Sequence, residues 1–531
     1  MTARVAAIAP RRILQRKQAA NFVSKSVPSC IGGWNARDSI ADMDPRDAVS
    51  LINFVPTQTD CVVRGGFTKF ATGFASQVET LPIYRSGTAT KIFGMSGTNG
   101  YNITAGGAIG SAEVGLTSLT NARWQWVNVS TTGGSFLLMV NGSDKLRGYD
   151  GTNWWVDGDG THDITGVDTA ACIDIQVHNN RVWLVQKNTL LAWYLPLSSI
   201  AGAAVSFDFR SIFRRGGALI AMGTWTIDAG YGLNDHAVFV TNQGEVVVYI
   251  GLDPSSVSSW AKIGLYQIGS PIGNRPFVKW GGDLLLINYD GLTPLAQGLQ
   301  SSRLDPRVNL TDKIRGAMGD ATNLYGGNFG WQVFDFPKQS LLILNVPVQA
   351  GGAQEQYVMS TITKNWTKFQ GWNANCWSLY SDDAYFGANT FVGKAYNGQN
   401  DANADITATG VQAFNYFGDT GITKRWTMMR PVFNTNGTPS ALMGLNVDFN
   451  INTPTGTVTF TDPGYGLWDT ALWDSGLWGG SVVVSQVWAG VNGVGKCAGA
   501  TIKTVINGID LHWIATTYVM ETGWVDRKSV V

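Results

Sequence analysis

Residues 357–397 read YVMSTITKNWTKFQGWNANCWSLYSDDAYFGANTFVGKAYN. Trp366-Thr367-Lys368-Phe369 is followed by Asp382-Asp383-Ala384-Tyr385-Phe386-Gly387 and then by Phe391 to Tyr396, with turn formers between them. Short runs of aromatic and β-branched residues separated by Asn, Asp, Ser and Gly predict three or four antiparallel strands folded on themselves, which is one blade of a β-propeller. The same rhythm extends outward from this unit. Comparable apolar runs centre near Phe93, Leu138, Leu184, Phe239, Leu285, Ile343 and Phe386, a period on the order of 50 residues and within the range of propeller blades. Asn141-Gly142, Asp150-Gly151, Asp290-Gly291 and Asn397-Gly398 supply hairpin turns, because both residues of such pairs accept positive φ.

The expected fold is all-β: a propeller of roughly six or seven blades, an additional C-terminal β domain and a basic N-terminal arm. The boundaries read as a basic arm over 1–30, a segment with a short helix over 31–75, the propeller over 76–420 and a Trp-rich β domain over 421–531. A radial array of sheets explains how so long a β chain avoids exposed edges, and stacked sandwiches are the plainer alternative. Two stretches read as helical. Asp44-Pro45-Arg46-Asp47 places an N-cap Asp before an N1 Pro, ahead of Ala48 to Ile52, and a second helix is expected to begin near Leu310.

Composition limits what the chain can do. Of 531 residues only 14% are charged, while Gly reaches 64 and Trp 21. Lys plus Arg and Asp plus Glu each number 38, so no global field draws the chain to nucleic acid, an anionic membrane or acidic substrates. Cys30, Cys61, Cys172, Cys376 and Cys497 are scattered and odd in number, which predicts free thiols in a reducing cytoplasm rather than disulfides or a zinc site. No run approaches the ~20 apolar residues of a membrane helix, and the expectation is a soluble protein. Arg4, Arg11, Arg12, Arg16, Lys17 and Lys25 all precede the first acid, Asp38. That asymmetry reads as a mobile or docking arm, with an organellar transit peptide as the weaker alternative.

Motifs for chemistry are sparse. His162, His178, His236 and His512 are isolated, and no G-x-S-x-G elbow is present. Gly490 to Cys497 has P-loop spacing, but Cys497 stands where a hydroxyl should bind magnesium, and the residues beyond it read as strand, so a glycine-rich hairpin is expected. Asp157-Gly158-Asp159-Gly160-Thr161-His162-Asp163 has acids at calcium-loop spacing but lacks the closing Glu, and a turn is expected. A propeller glycosidase needs two facing carboxylates. Asp335, Asp382 and Asp383 are candidates, yet adjacent residues of a strand point to opposite faces. Asp462-Pro463-Gly464 also reaches Trp468 one residue too late for a sialidase-type box. No catalytic residue, cofactor or metal is therefore assigned, and the chain reads as a non-enzyme.

The sharpest local pattern is Leu467-Trp468, Leu472-Trp473 and Leu477-Trp478, in which successive Trp residues are five apart. An odd spacing puts successive Trp residues on opposite faces of a strand, so turns or a folded ribbon are implied. Their candidate role is packing in the terminal domain or an interface rich in Trp.

Gly32-Gly33-Trp34-Asn35, Met43-Asp44-Pro45-Arg46-Asp47-Ala48, Leu51-Ile52-Asn53-Phe54-Val55-Pro56 and Val63-Arg64-Gly65-Gly66-Phe67 follow one another near the start. This succession resembles the opening of tail nozzle or tail stabilisation-type proteins of short-tailed, podovirus-type bacteriophages. The Leu-Trp-Asp repeat, the blade-like middle and Glu521-Thr522-Gly523 are similar to the same family. The resemblance implies a virion structural protein assembled in the host bacterial cytoplasm, six copies of which form a homohexameric ring below the head-to-tail adaptor. Such a ring extends and closes the DNA ejection channel without sequence-specific contact to DNA and anchors tail fibres or spikes. Arg11, Arg12, Arg16 and Lys17 would then meet a neighbouring subunit or the adaptor. The alternative carried forward is a propeller that binds or cleaves a host glycan.

Overall fold

The structure, a computed structural model, describes residues 22–87, 89–228, 233–256, 258–298, 306–349, 351–460 and 483–522. It is built almost wholly of strands and contains a seven-bladed propeller. In chain order, the blades after the closing one begin with Val78–Thr80 and Ile83–Arg85, then Gln125–Thr131, Cys172–His178, Leu219–Asp228, Phe277–Trp280 and Gln332–Phe336. The seventh sheet contains Cys376–Tyr380, Asp383–Gly387 and Phe391–Ala395, and Phe67–Thr72 pairs with the last of these. A strand from early in the chain thus completes a blade whose other strands come more than 300 residues later. The innermost strands of neighbouring blades lie side by side all the way round, with Cys376–Tyr380 next to Gln332–Phe336 on one flank and next to Val78–Thr80 on the other.

Period-two alternation is what stacks the blades. In Gly134–Val140, Leu137 and Met139 pack with Phe93 and Met95 of the preceding blade, while Leu138 and Val140 pack with Ile175, Val182 and Leu184 of the following one. The next blade repeats the device, with Val182 and Leu184 on one face and Trp183 and Val185 on the other. Both faces of each sheet are buried, so these strands read as continuous apolar runs. The apolar centres that set the sequence period, from Phe93 to Phe386, all fall on the second strand of a blade.

The second unit is a β-sandwich in which the beginning and the end of the chain interleave. In one of its sheets, Leu511–Thr522 pairs with Lys424–Thr435 on one side and with Phe22–Pro28 and Cys61–Val63 on the other. Its second sheet runs from Asp47–Ile52 through Ile406–Gln412 and Ala498–Ile506 to Ser440–Val447 and Gly456–Val458. That sheet is continuous with the propeller, because Ile52 pairs with Lys368 on the outer strand of the Gln332 blade. Trp426, Phe433, Trp513, Tyr518 and Phe54 fill the space between the two sheets and are fully buried.

Four expectations are corrected. Residues 357–397 are not one blade: Glu355–Ser360 and Trp366–Gln370 are the last two strands of the Gln332 blade, and Cys376–Tyr380, Asp383–Gly387 and Phe391–Ala395 belong to the next. The four consecutive segments give way to two interleaved units: within 31–75, residues up to Val63 belong to the sandwich and Phe67–Thr72 to the propeller, and Ile406–Gln412 lies in the sandwich rather than in a propeller ending at 420. The short helix expected over 44–52 is instead a turn followed by the strand Asp47–Ile52. The Asp44 carboxylate accepts the Arg46 amide at 2.8 Å and the Asp44 carbonyl accepts the Asp47 amide at 2.9 Å, which closes a tight turn. The residues after it are held between partner strands on both sides. An Asp that caps a helix also closes an Asx turn, and sheet pairing decided between the two. The second helix begins as a single 3₁₀ turn, Asp312–Ile314, and continues as Arg315–Tyr325. The glycine-rich stretch after Gly490 is strand but not the expected hairpin: Ala489–Gly495 pairs with Lys424–Thr435 in one sandwich sheet, and Ala498–Ile506 crosses to the other sheet, between Ile406–Gln412 and Ser440–Val447.

Candidate functional site

The innermost strands of all seven blades surround an axial cavity of about 200 Å³. Its wall is largely polar, and the polar groups are engaged with one another across blade boundaries. Asp174 accepts the Met222 amide at 2.8 Å, which ties two adjacent blades. Gln332 does the same for its neighbour, donating Nε2 to the Trp377 carbonyl and accepting the Trp377 amide, both at 3.0 Å. Other bonds cross the axis. Gln125 Nε2 donates to the Asn274 carbonyl at 3.0 Å, and Arg275 donates to Thr80 Oγ1 at 2.8 Å, to the Trp124 carbonyl at 3.1 Å and to the Glu79 carbonyl at 3.2 Å.

Both charged groups of the axis pay for burial in their titration. The Asp174 carboxyl is pushed up to about 7 by desolvation, against which the hydrogen bonds from Met222 and Ile175 act only partly. Desolvation likewise lowers the Arg275 pKa. The loop after the Arg315–Tyr325 helix lies against the same end of the axis: the Phe329 ring sits 4.5 Å from the Arg123 guanidinium and 5.5 Å from that of Arg275. Bridged, lined by side chains and small, the axis has room for a few waters or one small molecule and not for a polymer strand.

Among the residues that line this cavity Asp174 is the one carboxylate, so the pair required across a glycosidic bond is not assembled there. The three carboxylates singled out in the sequence lie elsewhere. Asp383 is held by Lys338 and Lys394, each at 2.6 Å. Asp382 and Ser381 form the hairpin turn, with φ of 63° and 50°. Asp335 sits on Gln332–Phe336, and burial raises its pKa. Asp157 and Asp159 tie their own loop: Asp157 accepts Thr169 Oγ1 at 2.6 Å and the Ile164 amide at 2.8 Å, and Asp159 accepts the His162 amide at 2.7 Å. No cluster of three or more His, Cys, Asp or Glu side chains is placed to hold a metal ion among the described residues. All five cysteines are buried free thiols.

The N-terminal motifs converge on one place, the brace between the two units. Trp34 packs edge-on against Tyr357 of the propeller at 5.1 Å. Asn35 donates to both Asp47 at 2.7 Å and Asp38 at 2.8 Å, and Lys313 Nζ reaches Asp47 at 2.7 Å and the Gly32 carbonyl at 2.6 Å. Arg37 bridges Asp38 and Asp312, and its hydrogen bond, helped by that of Asn35, holds the Asp38 carboxyl down at about 2. Beside these groups opens a charged cleft of about 500 Å³. Arg64 is the deepest element of the brace. It is 1% exposed, makes a two-pronged ion pair with Asp401 at 2.7 and 2.9 Å, donates to Asn53 and to the Gln370 carbonyl, and stacks on Trp372 at 4.7 Å. Gly65 and Gly66 follow it because a Cβ there would strike Tyr396 and the Asn400 backbone.

The sequence reading did not single out Arg64, Asp401, Asp174 or Arg275. One signal was available for Arg64: a lone charge inside the apolar run Cys61 to Phe67 announces a buried, paired cation. Trp468, Trp473, Trp478, Arg11, Arg12, Arg16 and Lys17, the candidate interaction residues, lie outside the described residues.

No protein-family model matches the chain, and no curated protein matches it. Solved structures align with low scores. BBS1N in complex with ARL6DN aligns at 11% identity over 41% of this chain and 61% of that one, with a TM-score of 0.28. YCF48 from Cyanidioschyzon merolae aligns at 10% identity over 64% and 97% of the two chains, with a TM-score of 0.31. A glycoside hydrolase family 43 arabinoxylan arabinofuranohydrolase from Bacillus subtilis aligns at 9% identity over 89% and 95%, with a TM-score of 0.25. The propeller assignment rests on the strand pairings themselves.

Proposed function

We propose that the chain is a structural, non-catalytic tail subunit of a short-tailed phage, of the nozzle type, which acts as a ring of copies below the head-to-tail adaptor. One observation carries this reading: the motifs Gly32 to Asn35, Met43 to Ala48 and Val63 to Phe67, on which the family resemblance rests, are the residues that brace propeller to sandwich. A rigid two-unit body suits a subunit that must hold its place under internal pressure.

The bridged axis adds a constraint. Since Arg275 and Gln125 span it, a genome conduit has to run between copies rather than through the propeller of any one of them. Net charge balance suits a conduit wall, because dense phosphate contacts would retard DNA. In this reading the protein is assembled in the host cytoplasm and resides in the virion tail, with fibres or spikes docked on its outer surface.

The test is the mass of the purified chain alone and after mixing with the phage connector complex. A closed ring of about six copies on the connector is expected, and a chain that remains monomeric and ignores the connector refutes the proposal. The second reading, glycan binding, draws on the polar axial cavity with Trp126, Asp174 and Arg275 in its wall. It predicts that the monomer binds a single small sugar of the host envelope, the size that the cavity admits, and that Asp174→Asn and Trp126→Ala lose this binding.

A further inference from the structure

The sandwich sheet built on Leu511–Thr522 ends in two unlike edges. On one side the last strand is Phe22–Pro28, paired only with Leu511–Thr522. On the other side Val483–Ser485 and Ala489–Gly495 pair only with Lys424–Thr435. Beyond these strands no further strand continues the sheet among the described residues. Such edges present unpaired amides and carbonyls, and soluble proteins ordinarily guard them with charge, proline or a bulge.

The second edge is guarded only by a break in register between Gly490 and Gly493, opposite Trp426 to Met428. From Val483 to Gly495 there is neither a charged residue nor a proline. Its inward positions, Ala489 and Val491, pack on the core, while Val494 is 40% exposed on the outward face, and Val484, at the far end of the same partner strand, is 55% exposed. Val487 and Trp488 are exposed in the same stretch, and Trp488 stacks on Arg430 at 4.7 Å. The first edge differs in kind: Phe22 is exposed at 58%, and Lys25 supplies a charge at its centre.

We propose that neighbouring copies join edge to edge, with Phe22–Pro28 of one copy pairing with Ala489–Gly495 of the next, so that the sheet continues across the subunit boundary. The proposal rests on the ring reading above and names its interface. Three features select a second copy in this head-to-tail manner. Both edges belong to one sheet, so each copy offers one of each. Both strands are seven residues long. Two Phe22–Pro28 edges meeting each other would bring Lys25 towards Lys25, whereas the uncharged edge accepts it without repulsion. A head-to-tail contact of unlike surfaces closes into a ring when its rotation permits, which a two-fold contact does not do.

The test uses the full-length chain carrying Ser24→Cys and Asn492→Cys, treated with a short bis-maleimide cross-linker. The five native cysteines are buried, so the introduced thiols are the reactive ones. A ladder of covalent multimers ending at the ring mass is expected from the double variant, and none from either single variant. Dimers from a single variant would show a two-fold contact and overturn the proposal. A double variant that forms the ring without being cross-linked would overturn the edge pairing and leave the ring reading intact, whereas absence of any ring, alone or on the connector, removes both. Asn492→Cys shielded from maleimide in dilute monomer would mean that the chain covers this edge with its own residues, which also overturns the proposal.

Discussion

In the propeller, Phe67–Thr72 is carried away from the strands that precede it in sequence and laid against Phe391–Ala395, so that the blades close on themselves. In the sandwich, the sheet that pairs Phe22–Pro28 with Leu511–Thr522 joins the two ends of the chain in the same way but stops at two open edges. The same device, pairing early strands with late ones, seals one unit and leaves the other extendable. The contrast divides the labour of the molecule: the propeller is a finished body, its axis bridged by Arg275, and the sandwich is where a further strand can be added.

The comparison breaks first at the brace. Arg64→Ala leaves Asp401 as an uncompensated, largely buried charge, and a loss of about 3–5 kcal/mol is expected, since removing one partner of a buried pair costs far more than the pair is worth. Denaturant unfolding followed by Trp fluorescence measures it. A change within ~1 kcal/mol would mean that the two units do not depend on this pair.

Ala71→Pro attacks closure alone. Ala71 is flanked by strands on both sides, and a proline there removes a ladder bond at a cost of about 3 kcal/mol. The propeller is expected to become sensitive to protease while the sandwich keeps its buried Trp426 and Trp513 environment. Equal loss in both units would show that they unfold as one.

Asp174 sharpens the picture of the sealed axis. Its carboxyl holds a proton up to about pH 7 when folded but only to the ordinary carboxylate range when unfolded. Between those values the folded form binds more protons, so stability falls as pH rises through about 4 to 7 and levels off above. Asp174→Asn is expected to flatten that slope and raise the melting temperature at pH 8 by a few degrees, as read by calorimetry. An unchanged slope would place Asp174 in contact with solvent.

The smallest effect on stability is expected at the open edge. Val494→Lys alters an exposed side chain and should change the monomer by less than ~0.5 kcal/mol, yet it places a guarding charge on the edge and should abolish assembly. Sedimentation of the variant beside the wild type separates these two outcomes.

The sequence made the propeller readable because each blade repeats a local signal. Phe93, Leu138, Leu184, Phe239, Leu285, Ile343 and Phe386 sit on equivalent second strands, and a strand buried on both faces writes an apolar run that needs no distant partner to be noticed. The sandwich wrote no such signal. Trp513 faces Cys61 across a pairing of strands more than 400 residues apart, and nothing local in Cys61-Val62-Val63 announces that partner. Asp44-Pro45 misled for a related reason, since its turn chemistry serves a helix and a strand equally until the neighbours on either side are known. Of the candidate sites, the period-two argument for Asp382 and Asp383 did not apply, because Asp382 occupies the hairpin turn and only Asp383 lies on the strand. Asp174 and Arg275 stayed hidden because a polar residue that meets another blade across the axis looks, in sequence, like an ordinary surface position.

The central claim, a sealed propeller attached to a sandwich that joins copy to copy, is tested most directly by the solution mass of the chain, measured over rising concentration and again on the phage connector, for wild type and Val494→Lys side by side. The account predicts a closed ring for the wild type on the connector and a folded monomer for the variant under every condition. A wild-type chain that remains monomeric throughout, or a variant that assembles as well as the wild type, would contradict it.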